Sequence, residues 1–173
     1  MDHDLPFRVI GIAGWKNSGK TTLTERLVAE LSARGFHVST VKRAHHDADV
    51  DREGTDSFRH RRAGAREVML VTPDRWALMH ELRDEDEPPL EALLARMTPC
   101  DLVVVEGFKG GPHPKIEVRR MAAKDRSPLP ASANVVAIAA DHAVGNGAVP
   151  VFDLDAVSSI ADFVETCTGL QHR

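Results

Sequence analysis

The chain has 173 residues, of which 42% are hydrophobic and 28% are charged, and its formal net charge is −4. This composition is typical of one soluble globular domain, and the acidic balance with only 5% aromatic residues argues against a nucleic-acid-binding protein. With no apolar run of membrane-spanning length and no secretory signal pattern, we expect a cytoplasmic protein in which Cys100 and Cys167 are reduced, buried thiols.

The first predicted elements frame a glycine-rich loop. The apolar segment Phe7–Ala13 predicts a strand, and Lys20–Arg34 predicts a helix. Between them, Gly14–Thr22 has the P-loop pattern G-x-x-x-x-G-K-T, in which backbone N–H groups surround a phosphate chain at a helix N-terminus. The predicted nucleotide-binding residues of this loop are Gly14, Asn17, Ser18, Gly19, Lys20, Thr21 and Thr22.

Two of these residues have specific predicted roles. Lys20 is expected to reach the β- and γ-phosphates, and the Thr21 hydroxyl is expected to hold Mg²⁺. The alternative is a glycine-rich turn from strand to helix that binds nothing.

A second predicted strand, Phe36–Lys42, completes a parallel strand–helix–strand unit. It ends at the sheet edge where ligands bind in open α/β folds, so we predict that Lys42 and Arg43 contact the anionic ligand. Positive charge continues beyond them; the cluster comprises His45, His46, Arg59, His60, Arg61 and Arg62. The alternative is that these side chains cover a solvated surface.

The segment after Arg43 also has the composition of a metal site. His45 and His46 are followed by Asp47, Asp49 and Asp51, although no structural zinc spacing is present. A metal site and a solvated polar loop both remain open for this segment.

The middle of the chain predicts two helices and a hairpin. A short helix capped by Thr55-Asp56-Ser57 runs to about Gly64. Arg66–Val71 and Arg75–Leu82 are separated by a short turn, which predicts an antiparallel hairpin at one edge of the sheet. A further helix, with Pro88-Pro89 near its first turn, carries Leu90, Leu93, Leu94 and Met97.

The strand Asp101–Glu106 is the most apolar of the chain, so we predict a central strand covered on both faces. The two acids at its ends cannot both face the phosphates, because strand residues rise about 3.3 Å each. A parallel neighbour of the first strand brings its carboxyl end to the P-loop, which selects Glu106 as a Mg²⁺-shell residue. Asp101 is then expected at the opposite rim, in solvent. The alternative for Glu106 is a loop carboxylate.

The last third of the chain contributes a loop over Gly107–Pro114, strands over Lys115–Arg119, Val135–Ala139 and Val149–Phe152, and a closing helix. Met121–Ala133 has little pattern. Three cations follow Glu106, and they meet phosphate or a partner or are ordinary surface residues: Lys109, Lys115 and Arg119. Together these elements predict a single P-loop NTPase domain over residues 1–173, an α/β three-layer fold with a mainly parallel central sheet and an antiparallel edge hairpin.

The usual guanine-reading motif Asn-Lys-x-Asp is absent. Asp141 follows a predicted strand at its ligand-side end, where its carboxylate can accept hydrogen bonds from the guanine N1 and N2 groups. An Asp that merely forms the turn before His142 is an equally good interpretation.

Six segments, in this order, carry a resemblance that covers nearly the whole chain: Gly14–Thr22, Val41–Asp47, Gly54–Arg61, Ala63–Ala65, Leu102–Lys109 and Pro114–Arg119. Through these segments the chain resembles the molybdopterin-guanine dinucleotide biosynthesis protein B (MobB) family. The P-loop alone indicates only a nucleotide, whereas the His-His-Asp, Asp-Ser-x-Arg-His and Glu-Gly-Phe-Lys sequences are far more specific.

The resemblance implies a GTP-binding adapter with weak GTPase activity. Such proteins form homodimers and work beside the guanylyltransferase that attaches GMP to molybdopterin. The resemblance also implies that a set of P-loop residues binds phosphate and Mg²⁺, namely Gly19, Lys20, Thr21 and Thr22, and that Glu106 belongs to the metal shell. Many related dimeric NTPases have a lysine directly after the first P-loop glycine, but Trp15 stands there, so catalysis by a lysine reaching across a dimer is not carried over.

Three other functions remain open beside the GTP-binding adapter. A small-molecule P-loop kinase would use Arg59–Arg62 as a lid, although no separate lid region is evident. A metallochaperone GTPase would use His45 and His46. A nucleic-acid-binding ATPase is disfavoured by charge and composition.

Overall fold

The computed structural model describes residues 7–44, 50–145 and 147–172. Its contacts group the chain into two compact units, the first within Met1–Arg43 and Leu90–Arg173 and the second within Ala44–Pro89. The single nucleotide-binding domain over residues 1–173 stays a prediction. In chain order the elements are β1 (Val9–Ala13), α1 (Lys20–Ala33), β2 (Val38–Lys42), α2 (Asp56–Arg62), β3 (Glu67–Val71), β4 (Trp76–His80), α3 (Leu90–Leu94), β5 (Leu102–Glu106), β6 (Lys115–Arg119), β7 (Val135–Ala140), β8 (Val151–Asp153) and α4 (Val157–Thr168).

The first unit is built on a six-stranded sheet in the order β2-β5-β1-β6-β7-β8. All five pairings are parallel. Because parallel strands end at the same edge, the P-loop after β1 lies between the residues that follow β5 and those that follow β6. This strand order decides which side chains meet the loop.

Helices cover both faces of this sheet. Along β5, Leu102 and Val104 belong to one buried cluster, which also contains Leu27 of α1 and Ile160 of α4. The alternate residues Val103 and Val105 pack on the other face, where the cluster includes Leu94 of α3. The prediction that this strand is central and covered on both faces is therefore confirmed, and so is the α/β three-layer fold.

Some predicted boundaries differ from the observed elements. The predicted strand from Phe36 begins at Val38, since Phe36 packs into the core beside α1. The helix after Pro88-Pro89 ends at Leu94. The prediction that both thiols are buried is wrong, since Cys100 is only partly buried and Cys167 is exposed. Asp101 is not in solvent as predicted: its carboxylate accepts the backbone N–H of His37 at 2.7 Å, and its side chain is only 17% exposed.

The second unit contains α2 and the hairpin. The Thr55 hydroxyl accepts the backbone N–H of Phe58 at 3.3 Å, which confirms the predicted N-terminal cap. Strands β3 and β4 pair antiparallel from Glu67↔His80 to Val71↔Trp76, as the turn chemistry predicts. The hairpin forms a two-stranded sheet of its own rather than an edge of the central sheet, because a turn sequence specifies pairing but not the sheet to which a hairpin attaches. Over the described ranges, none of the helices is both long and apolar enough to cross a bilayer.

Candidate functional site

The P-loop backbone adopts a conformation that depends on its two glycines. A Cβ on Gly14 would lie 2.6 Å from Ser18 Oγ and 2.6 Å from the Val118 carbonyl oxygen, so the loop leaves no room for a side chain there. Gly19 has a φ angle of 93°, which glycine adopts at little cost. Asn17 has a φ angle of 63°, in the left-handed region that asparagine enters more readily than most residues. These turns aim the chain into the start of α1.

The loop also leaves polar groups available to a ligand. The N-cap residue of α1 is Gly19, which has no side chain that could accept the backbone N–H groups of the first helical turn. The Ser18 hydroxyl is buried, with 2% of the residue exposed, and it has no hydrogen-bond partner among the described residues. A phosphate chain fits such a set of unsatisfied donors.

The structure brings together the two residues predicted to hold Mg²⁺. Thr21 Oγ1 donates to Glu106 Oε1 at 2.9 Å, and Lys42 Nζ lies 3.5 Å from the same carboxylate oxygen. Glu106 is only 8% exposed, because β5 lies between β1 and β2 and places its last residue beside the loop. Hydroxyl and carboxylate oxygens are ligands that Mg²⁺ accepts, so the donor set fits this ion.

The side chain of Lys20 extends back over the P-loop. Its Nζ donates to the carbonyl oxygen of Trp15 at 2.6 Å. Burial lowers the pKa of Lys20; the nearby Glu106 partly opposes this shift, while the cations Lys109 and Lys42 add to it. A charge destabilised in this way is stabilised by an arriving anion.

Lys109 is the one of the three cations after Glu106 that lies at the P-loop. Its Nζ is 3.9 Å from the centre of the Trp15 ring, a cation–π contact, and the indole N–H of Trp15 donates to the Ser127 carbonyl at 2.6 Å. Positive φ angles of 104° at Gly107 and 40° at Phe108 turn the backbone sharply after Glu106. This turn places Lys109 beside the loop.

Lys115 is neither a surface residue nor a phosphate contact. Its side chain is fully buried and donates to the carbonyl oxygens of Gly111 and His113. Burial lowers the pKa of Lys115 to about 8 and that of the adjacent His113 to about 4. The lysine therefore closes the loop between β5 and β6. Arg119, the third cation, pairs with Glu117 at 2.8 Å.

Arg43 lies against the loop that follows β5. Its backbone N–H donates to the Glu106 carbonyl at 2.9 Å, and its guanidinium carbon is 5.6 Å from the centre of the Phe108 ring. The predicted ligand contact of Arg43 stays a prediction, whereas its neighbour Lys42 already faces the Glu106 carboxylate.

Asp141 has partners within the chain. Its Oδ1 accepts the backbone N–H of Met121 at 2.7 Å and lies 2.9 Å from His142 Nδ1. The hydrogen bond with His142, followed by that from the Met121 N–H, lowers the pKa of this carboxyl. These contacts match a turn-forming Asp, and guanine reading by Asp141 stays a prediction.

Arg120 is a residue of the site that sequence reasoning missed. It follows β6 and lies at an open cavity of about 290 Å³ lined by Asn17, Gly19, Lys20, Thr21, Thr22 and Arg120. Its Nε is 3.6 Å from Asp141 Oδ2. No motif marks this arginine; only the placement of β6 beside β1 brings it to the loop.

The predicted histidine–aspartate metal site falls outside the described residues, since it rests on His45, His46, Asp47 and Asp49. The described Asp51 has a structural role in the second unit: its carboxylate accepts hydrogen bonds from Ser57 at 2.9 Å and from Arg61 at 3.2 Å. Arg61 also contacts Glu81 at 2.7 Å, so this arginine of the hypothetical lid is held by acids. In the parts of the chain that the structure describes, no three His, Cys, Asp or Glu side chains gather as a metal site would require.

The sequence and the fold of this chain are both similar to those of known proteins. Residues 9–141 match the family model described as molybdopterin guanine dinucleotide synthesis protein B. The chain is similar to the molybdopterin-guanine dinucleotide biosynthesis adapter proteins of Escherichia coli strain K12, with 40% identity over 90% of each chain, and of Haemophilus influenzae, with 39% identity over 95% of this chain and 90% of that one. It also resembles the crystal structure of Bacillus subtilis MobB, with a TM-score of 0.76, 25% identity, and coverage of 96% of this chain and 100% of that chain.

Proposed function

We propose a function from the premise that this chain belongs to the molybdopterin guanine dinucleotide synthesis protein B family. It acts as an adapter in the biosynthesis of the guanine dinucleotide form of the molybdenum cofactor. It binds GTP with Mg²⁺ through its P-loop and hydrolyses GTP slowly. Its partner is the guanylyltransferase that attaches GMP to molybdopterin, and molybdopterin is a second candidate ligand.

The observation that carries this proposal is the pairing of Thr21 with Glu106 at 2.9 Å beside an open P-loop. The two residues are far apart in the sequence, yet their side chains are in contact. P-loop proteins hold Mg²⁺ with a hydroxyl of this loop and an acid from a neighbouring strand. In the proposed complex the Thr21 hydroxyl and the Glu106 carboxylate serve the Mg²⁺ shell, and Lys20 moves from the Trp15 carbonyl to the phosphates.

The contacts of two acids near the loop, Glu106 and Asp141, support slow hydrolysis. The Glu106 carboxylate already contacts Thr21 and Lys42, and Asp141 already accepts the Met121 N–H. A general base must be free to accept a proton from the attacking water, and neither carboxylate is free in this way. The nucleotide then acts mainly as a bound signal.

The hairpin supports self-association. Four apolar side chains lie on one face of the two-stranded sheet and are 43–66% exposed: Met69, Val71, Trp76 and Leu78. An apolar face of this kind is typical of an interaction surface, and a two-stranded hairpin is marginal without further packing. We propose that a second copy of the chain covers it, giving a homodimer.

Nucleotide titration of the purified protein tests the first part. We expect GTP to bind in the presence of Mg²⁺ and to bind more tightly than ATP. Lys20→Ala should weaken GTP binding by about 10- to 100-fold, because charged hydrogen bonds to the phosphates contribute about 1.5–3 kcal/mol. Lys124→Ala, at an exposed lysine, is the matched control. Preference for ATP, or unchanged GTP affinity in Lys20→Ala, would contradict the proposal.

The metal role is tested separately by Glu106→Gln. This variant keeps the size of the side chain but removes the charge, so the Mg²⁺ concentration that supports half-maximal GTP binding should rise. Glu25→Gln, at an exposed acid of α1, is the control. An unchanged Mg²⁺ dependence would remove Glu106 from the metal shell.

Co-purification tests the adapter role. Under anaerobic conditions, the tagged chain should retain the guanylyltransferase, and retention should depend on GTP and Mg²⁺. A chain that binds GTP but retains neither the transferase nor a pterin would leave the nucleotide site standing and overturn the adapter proposal.

A further inference from the structure

The P-loop has two unlike flanks. On the β5 side, Thr21, Glu106 and Lys42 form the group assigned to the metal ion. On the β6 side, the cavity wall is formed by Arg120, whose guanidinium carbon would lie 3.9 Å from a Cβ on Gly19. Arg120 therefore faces the loop from the side opposite the metal group.

The position of Arg120 is set by strand register. Arg119 pairs with Ala140 at the ends of β6 and β7, so the residues that follow these strands, Arg120 and Asp141, leave the sheet side by side. Asp141 Oδ1 is occupied by the Met121 N–H and His142, and its other oxygen, Oδ2, lies 3.6 Å from Arg120 Nε. The carboxylate thus holds the Nε side of the guanidinium, and 44% of the arginine side chain remains exposed at the cavity.

We propose that Arg120 is a phosphate-binding residue that contacts the α-phosphate of the bound nucleotide, and that Asp141 is the positioning residue that aims it. This inference rests on the proposed function, since it assigns a further residue of the same GTP site. It also gives Asp141 a role different from reading guanine.

The choice of phosphate follows from the position of the metal group. In P-loop proteins the metal ion bridges oxygens of the β- and γ-phosphates. Because Thr21 and Glu106 mark that end of the phosphate chain, the opposite flank of the loop faces the end nearest the nucleoside. The α-phosphate is the anionic group at that end.

The chemistry of arginine suits this position. Its guanidinium keeps its charge at all physiological pH values and presents parallel N–H donors to two phosphate oxygens. A planar group also needs an orienting partner, and a carboxylate on the Nε side leaves the terminal N–H groups free to face the ligand. Asp141 provides that partner.

Removal of the guanidinium tests the assignment. Arg120→Ala should weaken GTP, GDP and GMP binding by the same factor, about 10-fold or more, because the α-phosphate is the one phosphate that all three ligands share. Arg120→Lys should recover part of the loss, and Arg96→Ala, at an exposed arginine after α3, should change nothing. Unchanged thermal unfolding of the variants shows that the fold is intact.

The outcomes separate this inference from the proposed function. If the unmodified chain binds no GTP, both are overturned. If it binds GTP and Arg120→Ala binds equally well, only the role of Arg120 is overturned. Weaker GTP binding with unchanged GMP binding would place Arg120 at the β- or γ-phosphate and overturn the α-phosphate assignment.

A double-mutant cycle with xanthosine triphosphate (XTP) tests the role of Asp141. Asp141→Asn should weaken GTP and XTP binding equally, by several-fold, and should have no further effect in an Arg120→Ala background, since coupled residues are non-additive. A merely structural role would weaken binding equally in both backgrounds. A shift of preference from GTP to XTP in Asp141→Asn would show base reading. Either of these results would overturn the positioning role.

Discussion

The two sheets of this protein bury their apolar residues to different extents. Every residue of β5 is buried, because helices cover both faces of the central sheet. In the hairpin, by contrast, Val68 and Met79 are buried, whereas Val71 and Trp76 are 66% and 62% exposed. The comparison indicates that the first unit is stabilised by its own core and that the hairpin depends on other contacts.

Polar contacts supply part of what the hairpin unit lacks in core. The side chain of Arg61 is 14% exposed and joins Asp51 to Glu81 through contacts of 3.2 and 2.7 Å. On the hairpin itself, the two ring nitrogens of His80 contact Glu67 and Glu85.

Truncation of a core side chain in the first unit should have the largest effect. Leu27→Ala, at a fully buried position of α1, should lower the free energy of unfolding by about 2–5 kcal/mol. Leu70→Ala, at a 46% exposed position of β3 on the opposite face from the proposed dimer contact, should change it by about 0.5 kcal/mol or less. Urea unfolding of the unmodified chain and both variants, at one protein concentration, measures these free energies of unfolding. Equal losses of unfolding free energy would show that the hairpin depends on its apolar side chains as much as the first unit does.

Substitution on the apolar hairpin face should act on association. Trp76→Ser should weaken the dimer by about tenfold or more, because large aromatic residues dominate interface energies. Val151→Ser, at a 43% exposed residue of β8, is the control in the first unit. Sedimentation over a range of concentrations gives the dissociation constants. A monomeric unmodified chain, or an unchanged dimer in Trp76→Ser, would contradict the assignment of this face.

Loss of the Asp51 carboxylate should loosen the second unit locally. In Asp51→Asn the charge that pairs with Arg61 disappears, and the hydrogen bonds from Thr55 and Ser57 weaken. Amide hydrogen exchange in α2 should become faster, while exchange in β1 and β5 stays unchanged. Asp56→Asn, at an 88% exposed acid, is the control. Faster exchange throughout both units would show that they unfold together.

The smallest expected effect is a pH dependence of the hairpin. Hydrogen bonds with Glu67 and then Glu85 raise the pKa of His80, so its stabilising charge is fully present below the ordinary histidine pKa and is lost as pH rises through the raised value. The bond with His80 lowers the pKa of Glu85, so that contribution is lost only in acid. Amide exchange in β3 and β4, corrected for intrinsic rates, should therefore be slower in weak acid than at pH 8. His80→Gln should remove the difference; its persistence would assign the effect to other groups.

The sequence predicts the features that depend on local order. The P-loop follows from one motif with its flanking strand and helix, and Glu106 follows from the rule that parallel strands end at one edge. Arg120 and the buried Lys115 were not predictable in this way. Their positions depend on β6 lying beside β1 and on a loop that folds over Gly11. No local sequence pattern predicts either arrangement. The separate hairpin sheet escaped prediction for the same reason.

The chain has two tryptophans, and each belongs to a different unit. The ammonium group of Lys109 lies 3.9 Å from the centre of the Trp15 ring, and the carbonyl oxygen of Trp15 accepts a hydrogen bond from Lys20. Movement of either cation toward a bound phosphate therefore alters the environment of the indole. Trp76 is 62% exposed on the hairpin, where burial by another molecule shifts its emission to shorter wavelength. Intrinsic fluorescence therefore gives one optical signal for ligand arrival and another for assembly, and a Trp76→Phe protein isolates the first.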